Sequence, residues 1–311
     1  MRVVATGLRF PEGPIALPTG DILLVEIERG TLSRVTPDGT ISVVAHCGGG
    51  PNGAALGPDG AVYVCNNGGF DWGQRGEFLT PGHQPASYTG GSIQRVDIET
   101  GEVATLYVEC DGRPLKGPND IVFDRQGSFY FTDLGKSRPE DTDRGALYHA
   151  TIDGSSITCL AHPVEKPNGI GLSPDEDRLY WAETPSGRLW YFELESPGVP
   201  RPASGGFSSA SSSTAGTMLA NIGGEARLDS LAIDTEGNVC VATLVEGVIT
   251  AIAPDGTLRA RVPIPDDDPF VTNICFGGPD LKTAFITSSG RGVLYATEWF
   301  CPGLPLNFLN V

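Results

Sequence analysis

The chain has 311 residues, 40% of them hydrophobic, and a net charge of −17 from 21 basic and 38 acidic side chains. That length and apolar content can bury a large core, while the acidic balance and the lack of any Lys/Arg cluster argue against nucleic acid and anionic membrane as partners. No run reaches the roughly 18 apolar residues of a membrane span, and Met1 to Gly7 lacks a long apolar region, so neither insertion nor export is expected.

The elements follow a recurring phrase: a small polar or acidic residue beside Pro or Gly, an apolar run, a tight turn, and a second apolar run. Before the first copy, Val3-Val4-Ala5 reads as a short strand. The copies are Pro11-Glu12-Gly13-Pro14, Pro51-Asn52-Gly53, Pro118-Asn119-Asp120, Pro167-Asn168-Gly169, Leu228-Asp229-Ser230 and Thr272-Asn273-Ile274. Their starts near 11, 51, 118, 167, 228 and 272 are 40, 67, 49, 61 and 44 residues apart. Strand-only repeats of about 40–50 residues predict an all-β, six-bladed β-propeller of four-stranded antiparallel blades, one blade per repeat. A ring with an unclosed end leaves sheet edges exposed, so Val3-Val4-Ala5 is predicted to pair into the last blade. Residues 1–311 then form one domain.

Blade four shows the expected layout: inner strand Gly169 to Leu172, turn Pro174 to Asp177, return strand Arg178 to Ala182, loop Glu183 to Gly187, third strand from Arg188. Residues just before the inner strands, and loops between second and third strands, share one face, called here the top. The long second repeat places its extra residues, 67–91, on that face between strands Ala61–Cys65 and Ser92–Val96. This insertion carries Phe70, Trp72, Phe78, His83 and Tyr88 and reads as a lid or pocket wall. The Ser/Gly-rich run 204–216 reads as a linker at the bottom or outer edge. Seven cysteines without CxxC spacing, among them Cys65, Cys240 and Cys275 in apolar runs, are expected as reduced core residues of a cytoplasmic protein.

The variable residue of the phrase is an oxygen donor in every copy. Glu12, Asn119, Asn168 and Asp229 come from four blades and converge on one axis, without His or Cys. Such a hard-oxygen set suits one divalent cation, Ca²⁺ first, with Mg²⁺, Mn²⁺ or Zn²⁺ as alternatives. Asn, Asp and Glu beside Pro or Gly also cap strand ends by bonding local backbone, and this reading is preferred for Asn52 and Asn273. For the other four together the cation is favoured, because carboxylates crowded on one axis repel. His149 reads as a strand residue, and His46 and His162 lie between blades. The sequence holds no GxSxG, P-loop or HExxH.

At these motifs the chain resembles the senescence-marker protein/gluconolactonase group, also called regucalcin-like, over nearly its whole length. The resemblance rests on Phe10-Pro11-Glu12-Gly13-Pro14, Gly117-Pro118-Asn119-Asp120, Lys166-Pro167-Asn168-Gly169-Ile170, Leu228-Asp229-Ser230-Leu231 and Thr272-Asn273-Ile274-Cys275-Phe276-Gly277-Gly278. It implies a calcium-dependent lactonase in which Glu12, Asn168 and Asp229 ligate the metal. Asn119 is implied as a further ligand or a substrate contact, and Asp229 as the catalytic base. The Glu-Asn-Asn-Asp pattern also resembles diisopropyl fluorophosphatase, a related phosphotriesterase propeller. Two positions depart: Gly117 stands where sugar-lactone members carry an Arg, and Ala232 where the fluorophosphatase branch carries an acid for a second calcium.

The reaction expected is hydrolysis of a cyclic ester by metal-activated water, with Asp229 accepting the proton and Asn119 holding the developing oxyanion. A phosphotriesterase with Asp229 as nucleophile and a non-catalytic ligand-binding propeller are the alternatives. Phe70, Trp72, Tyr88, His83 and Glu183 are expected to meet a small-molecule substrate, and the aromatic lid favours a lactone with apolar bulk. Lys116, Arg113 and Arg291 are the other top-face cations considered. The protein is expected to be a monomer or homodimer.

Overall fold

The computed structural model describes residues 1–201 and 216–310. All of the run 204–216 except Gly216 therefore lies outside the described residues. The chain folds as six antiparallel blades around a central channel. The inner strands are Pro11–Ala16, Pro51–Leu56, Pro118–Phe123, Pro167–Leu172, Arg227–Ile233 and Val271–Gly277, each at a copy of the repeated phrase. Arg2–Thr6 pairs with Val293–Glu298 and supplies the outer strand of blade six, closing the ring as predicted. Among the described residues the only helical element is the short 3-10 turn Pro265–Asp267.

Apolar runs replace strict alternation in the second strands because each blade is sandwiched between two others. In Val62–Asn66, Val62 and Val64 face the cluster shared with blade one, through Leu23, Val25 and Leu32. Tyr63 and Cys65 face the opposite way, into a cluster with Phe123, Phe129, Phe131 and Tyr148 of blade three. Both faces of the strand are buried, so both carry apolar side chains.

Every inner strand breaks register near its donor residue. In blade three Pro118 pairs with Asp133, but the next pair is Ile121 with Phe131, leaving Asn119 and Asp120 in a bulge. Equivalent shifts follow Glu12, Pro51, Pro167, Leu228 and Val271. A bulge bends the strand and re-aims side chains. Two glycines of the phrase let neighbouring inner strands approach beneath it. A Cβ on Gly53 would lie 2.4 Å from the Asn119 carbonyl oxygen, and one on Gly169 2.7 Å from that of Asp229.

Candidate metal centre and its lid

The residue closing each second strand fixes the turn that leads into the donor. Glu26, Asn66, Asp133 and Glu183 pair with Pro11, Pro51, Pro118 and Pro167 respectively. Asp133 accepts the Lys116 and Gly117 amides, each at 2.7 Å, and so fixes the approach to Asn119. Glu26 takes the Arg9 amide at 2.8 Å and Asn66 the Gly50 amide at 2.9 Å. Glu183 occupies this position in blade four, buried, with Oε2 accepting the Ser186 hydroxyl at 2.9 Å and Oε1 unpartnered.

Glu12, Asn168 and Asp229 are brought together: Asn168 hydrogen-bonds to Asp229, and Glu12 lies near enough for its charge to act on Asp229. The Glu12 carboxylate, 2% exposed, accepts the Asn273 side-chain amide at 2.6 Å and the Gly13 amide at 2.5 Å. Asn273 is thereby a holder of Glu12, and its Oδ1 caps the local Ile274 amide at 2.7 Å, matching the capping reading for this residue. Behind them Thr272, Thr287 and Ser289 form a buried hydroxyl network, in which the Ser289 hydroxyl donates to the Pro11 carbonyl at 2.5 Å. Asn168 Nδ2 donates to the Thr184 hydroxyl at 3.1 Å, leaving Oδ1 buried and unpartnered. Asn119, on the bulge of blade three, is also buried, and its Oδ1 likewise has no partner. Asn52 is buried at the same register in blade two.

Burial pushes the Glu12 carboxyl up to about 7 despite its hydrogen bonds. Burial and the nearby Glu12 hold Asp229 well above the usual carboxylate range. A third acid, Asp120, stands within reach of both and is pushed up to about 8 by burial and by Glu12; its oxygens accept the Ile121 and Ile170 amides. The sequence reading missed Asp120. Its signal was its place directly after Asn119, where the matching positions in blades one, two and four hold Gly. Two unpartnered amide oxygens beside crowded carboxylates are the environment a hard cation completes. Among the described residues no three His, Cys, Asp or Glu form a metal-holding cluster; the donor set is mixed, carboxylate and amide.

The insertion 67–91 lies over the top face and contains a hairpin, Trp72–Arg75 with Phe78–Pro81. One end docks on blade six: the Leu79 amide donates to the Gly290 carbonyl at 2.8 Å, and Arg291 pairs with Glu77 at 2.7 Å beneath the Phe78 ring. Trp72 packs on Phe10 of blade one at 5.1 Å between ring centres, and Phe70 packs on Trp72 at 5.9 Å. The other end docks on blade three. There the buried Lys136 donates to the Asn67 and Gly69 carbonyls at 3.0 and 2.5 Å, with Nζ 4.2 Å from the Phe70 ring centre. Tyr88 Oη donates to the Lys116 carbonyl at 2.7 Å. Phe70, Trp72 and Tyr88 thus seat the lid. His83 is exposed, and its carbonyl accepts the Asp71 amide. Arg113 reaches the Cys159 sulfur on the outer side of blade three. Seven free cysteines are present, six of them buried, and burial raises the Cys65, Cys240 and Cys275 thiols. No helix among the described residues is long and apolar enough to cross a membrane.

Comparison with known proteins places this architecture. A gluconolactonase of Zymomonas mobilis is 26% identical over 96% of this chain and 82% of its own. A pentonolactonase of Haloferax volcanii is 27% identical over 93% and 84%, and a lactonase of Staphylococcus aureus, drp35, 29% over 80% and 68%. Among solved structures, a gluconolactonase of Xanthomonas campestris superposes with a TM-score of 0.72 at 20% identity, over 95% of this chain and 88% of that one. A calcium-binding protein, regucalcin, of Agrobacterium tumefaciens superposes with a TM-score of 0.73 at 20% identity, over 97% and 94%. The family model described as the SMP-30/gluconolactonase/LRE-like region matches residues 10–290, which span five of the six donor-bearing phrases' blades in full and all six donors, and the chain belongs to that family.

Proposed function

We propose that this protein hydrolyses a lactone at a divalent-cation centre held by Glu12, Asn168 and Asp229, with Asn119 as ligand or near neighbour. The observation carrying the proposal is the pair of buried, unpartnered oxygens, Asn119 Oδ1 and Asn168 Oδ1, together with the carboxylates Glu12 and Asp229, which form no ion pair among the described residues. The relatives named for lactone hydrolysis supply the reaction class. An all-oxygen set favours calcium; when bound, the cation would polarise the ester carbonyl and lower the pKa of a water.

The side chains divide the remaining work. Glu12 is clamped by Asn273 and the Gly13 amide, so it serves as a fixed ligand. Asp229 is less buried than Glu12 and is assigned the base. It takes the proton of the attacking water and returns it to the leaving alkoxide. Burial and Glu12 raise its basicity, and a bound cation would lower it. Asn119 is assigned to hold the developing oxyanion. The lid excludes bulk water from one side of the site.

Asp229→Asn keeps a metal-ligating oxygen but cannot accept a proton, so it is expected to lower kcat about 10²–10⁴-fold. Acid release from a panel of lactones checks this, with circular dichroism to verify the fold. Wild-type turnover by the variant would move the base elsewhere. A phosphotriester turned over while every lactone is untouched would replace the reaction class.

A further inference from the structure

Counting back two residues from each donor gives Phe10, Gly50, Gly117, Lys166, Arg227 and Val271. These residues stand at the mouth of the six blades. Two of them are cations, and they belong to adjacent blades, four and five. Elsewhere the position is apolar or glycine. Gly117 has a local cause: a Cβ there would lie 2.7 Å from the Gly135 carbonyl oxygen, so the loop leading to Lys136 leaves no room for a side chain.

The lid divides the top face in the same way. Its hydrogen bonds, ion pairs and ring contacts run to blade six through Gly290 and Arg291, to blade one through Phe10, and to blade three through Lys116, Lys136, Ser137 and Arg138. None among the described residues reaches blade four or five. The cup is roofed on one side and open on the side where Lys166 and Arg227 stand.

Both cations lack a partner among the described residues. Lys166 is half-buried, with a left-handed backbone at φ 40°. Each acid near it is already engaged. Glu165 pairs with Arg144 at 3.3 Å, Asp143 with Arg138 at 3.0 Å, and Asp133 accepts backbone amides. Arg227 is exposed and forms no ion pair among the described residues. An unpaired, partly desolvated ammonium carries a cost that a ligand charge would relieve.

We propose that Lys166 and Arg227 are specificity-determining residues that select a lactone bearing a carboxylate besides its ring ester. The proposal rests on lactone hydrolysis at the Glu12–Asn168–Asp229 centre. With the ester carbonyl at that centre and the ring under the lid, an exocyclic carboxylate faces the open side. There a guanidinium can take it bidentately and an ammonium as a point charge. In a chain of net charge −17 this pair also gives an anion a locally favourable approach.

The test compares a γ-lactone carrying an exocyclic carboxylate with its carboxamide, which has nearly the same shape and no charge. In the wild type kcat/KM is expected to favour the carboxylate at least tenfold, with the preference residing in KM and shrinking as NaCl rises from 20 to 500 mM, because partly exposed charges are screened. The Lys166→Gln/Arg227→Gln double variant is expected to lose most of that preference, and each single variant part of it. Calorimetric binding of the two ring-opened hydroxy acids gives the same comparison without turnover. Equal handling of carboxylate and carboxamide in both assays, or a preference that survives the double variant, overturns the inference. Hydrolysis of neither lactone, with the rest of the lactone panel also untouched, overturns the lactonase reading, and the binding assay then decides the role of the cations alone.

Discussion

Asn119, Asn168 and Asn273 share a residue type and a register, yet the structure separates them. Asn273 spends its amide on Glu12 and its oxygen on the Ile274 amide, whereas Asn119 and Asn168 keep an oxygen without a partner. Outer-shell holders of metal ligands typically change affinity by about 10–100-fold when removed. Asn273→Ala is therefore expected to weaken calcium binding by about that factor with the fold retained. Calorimetric titration of metal-stripped protein checks it, and unchanged affinity would remove Asn273 from the centre. The sequence could place all six donors at the top of their blades, because the repeated phrase, Pro–donor–Gly in three copies and looser in the other three, marks each bulge. Which donor ligates and which supports another depends on hydrogen bonds between blades one and six, residues 261 apart in the chain. Asp120 was hidden for a related reason: beside Asn119 it reads as a local cap, and only the fold brings it near Glu12.

At the scale of elements the lid gives the sharpest contrast. Its existence and its face were legible from the 67-residue interval, since extra length between second and third strands can emerge only at the top. Its internal hairpin was not, because Trp72-Gly73-Gln74-Arg75 and Phe78-Leu79-Thr80-Pro81 lack the alternation that marks a half-buried strand. Nor was its clasp, because a buried lysine in a loop has no local signature. Lys136 lies 1% exposed and holds the Asn67 and Gly69 carbonyls. Replacing it by Met keeps much of its bulk but leaves two buried carbonyls without their donor, each worth about 1–3 kcal/mol. Lys136→Met is expected to loosen the lid and speed tryptic cleavage at the exposed Arg75 by about tenfold or more, while the blades stay folded. Cleavage at the wild-type rate would show that the aromatic contacts on Phe10 hold the lid by themselves.

For the molecule as a whole, closing the ring forces acids onto one axis. Glu12 and Asp120 are pushed up to about 7 and 8, against about 4 in an unfolded chain. Between those limits the folded, metal-free protein holds protons that the unfolded chain has released, so its stability falls as pH rises through that window. A cation takes the place of the protons, and its binding strengthens as pH rises. The gain in thermal midpoint on adding calcium is therefore expected to be larger at pH 8 than at pH 5, reaching about 2.7 kcal/mol of stabilisation at a hundredfold excess over Kd. Scanning fluorimetry reads this directly, and an equal gain at both pH values would contradict the crowding of acids. The overall ring was the most legible feature of all. Six phrases, their spacing and a leading strand specify the blades and their closure before any contact is known.

The central claim is that Glu12, Asn168 and Asp229, with Asn119 as ligand or near neighbour, build a cation centre that opens a lactone. The most direct test is lactone hydrolysis by protein stripped with EDTA, dialysed, and titrated with calcium. Stripped protein is expected to be inactive and to regain full acid release as one cation per chain binds, with Asp229→Asn failing to respond. Full activity in stripped protein would contradict the claim.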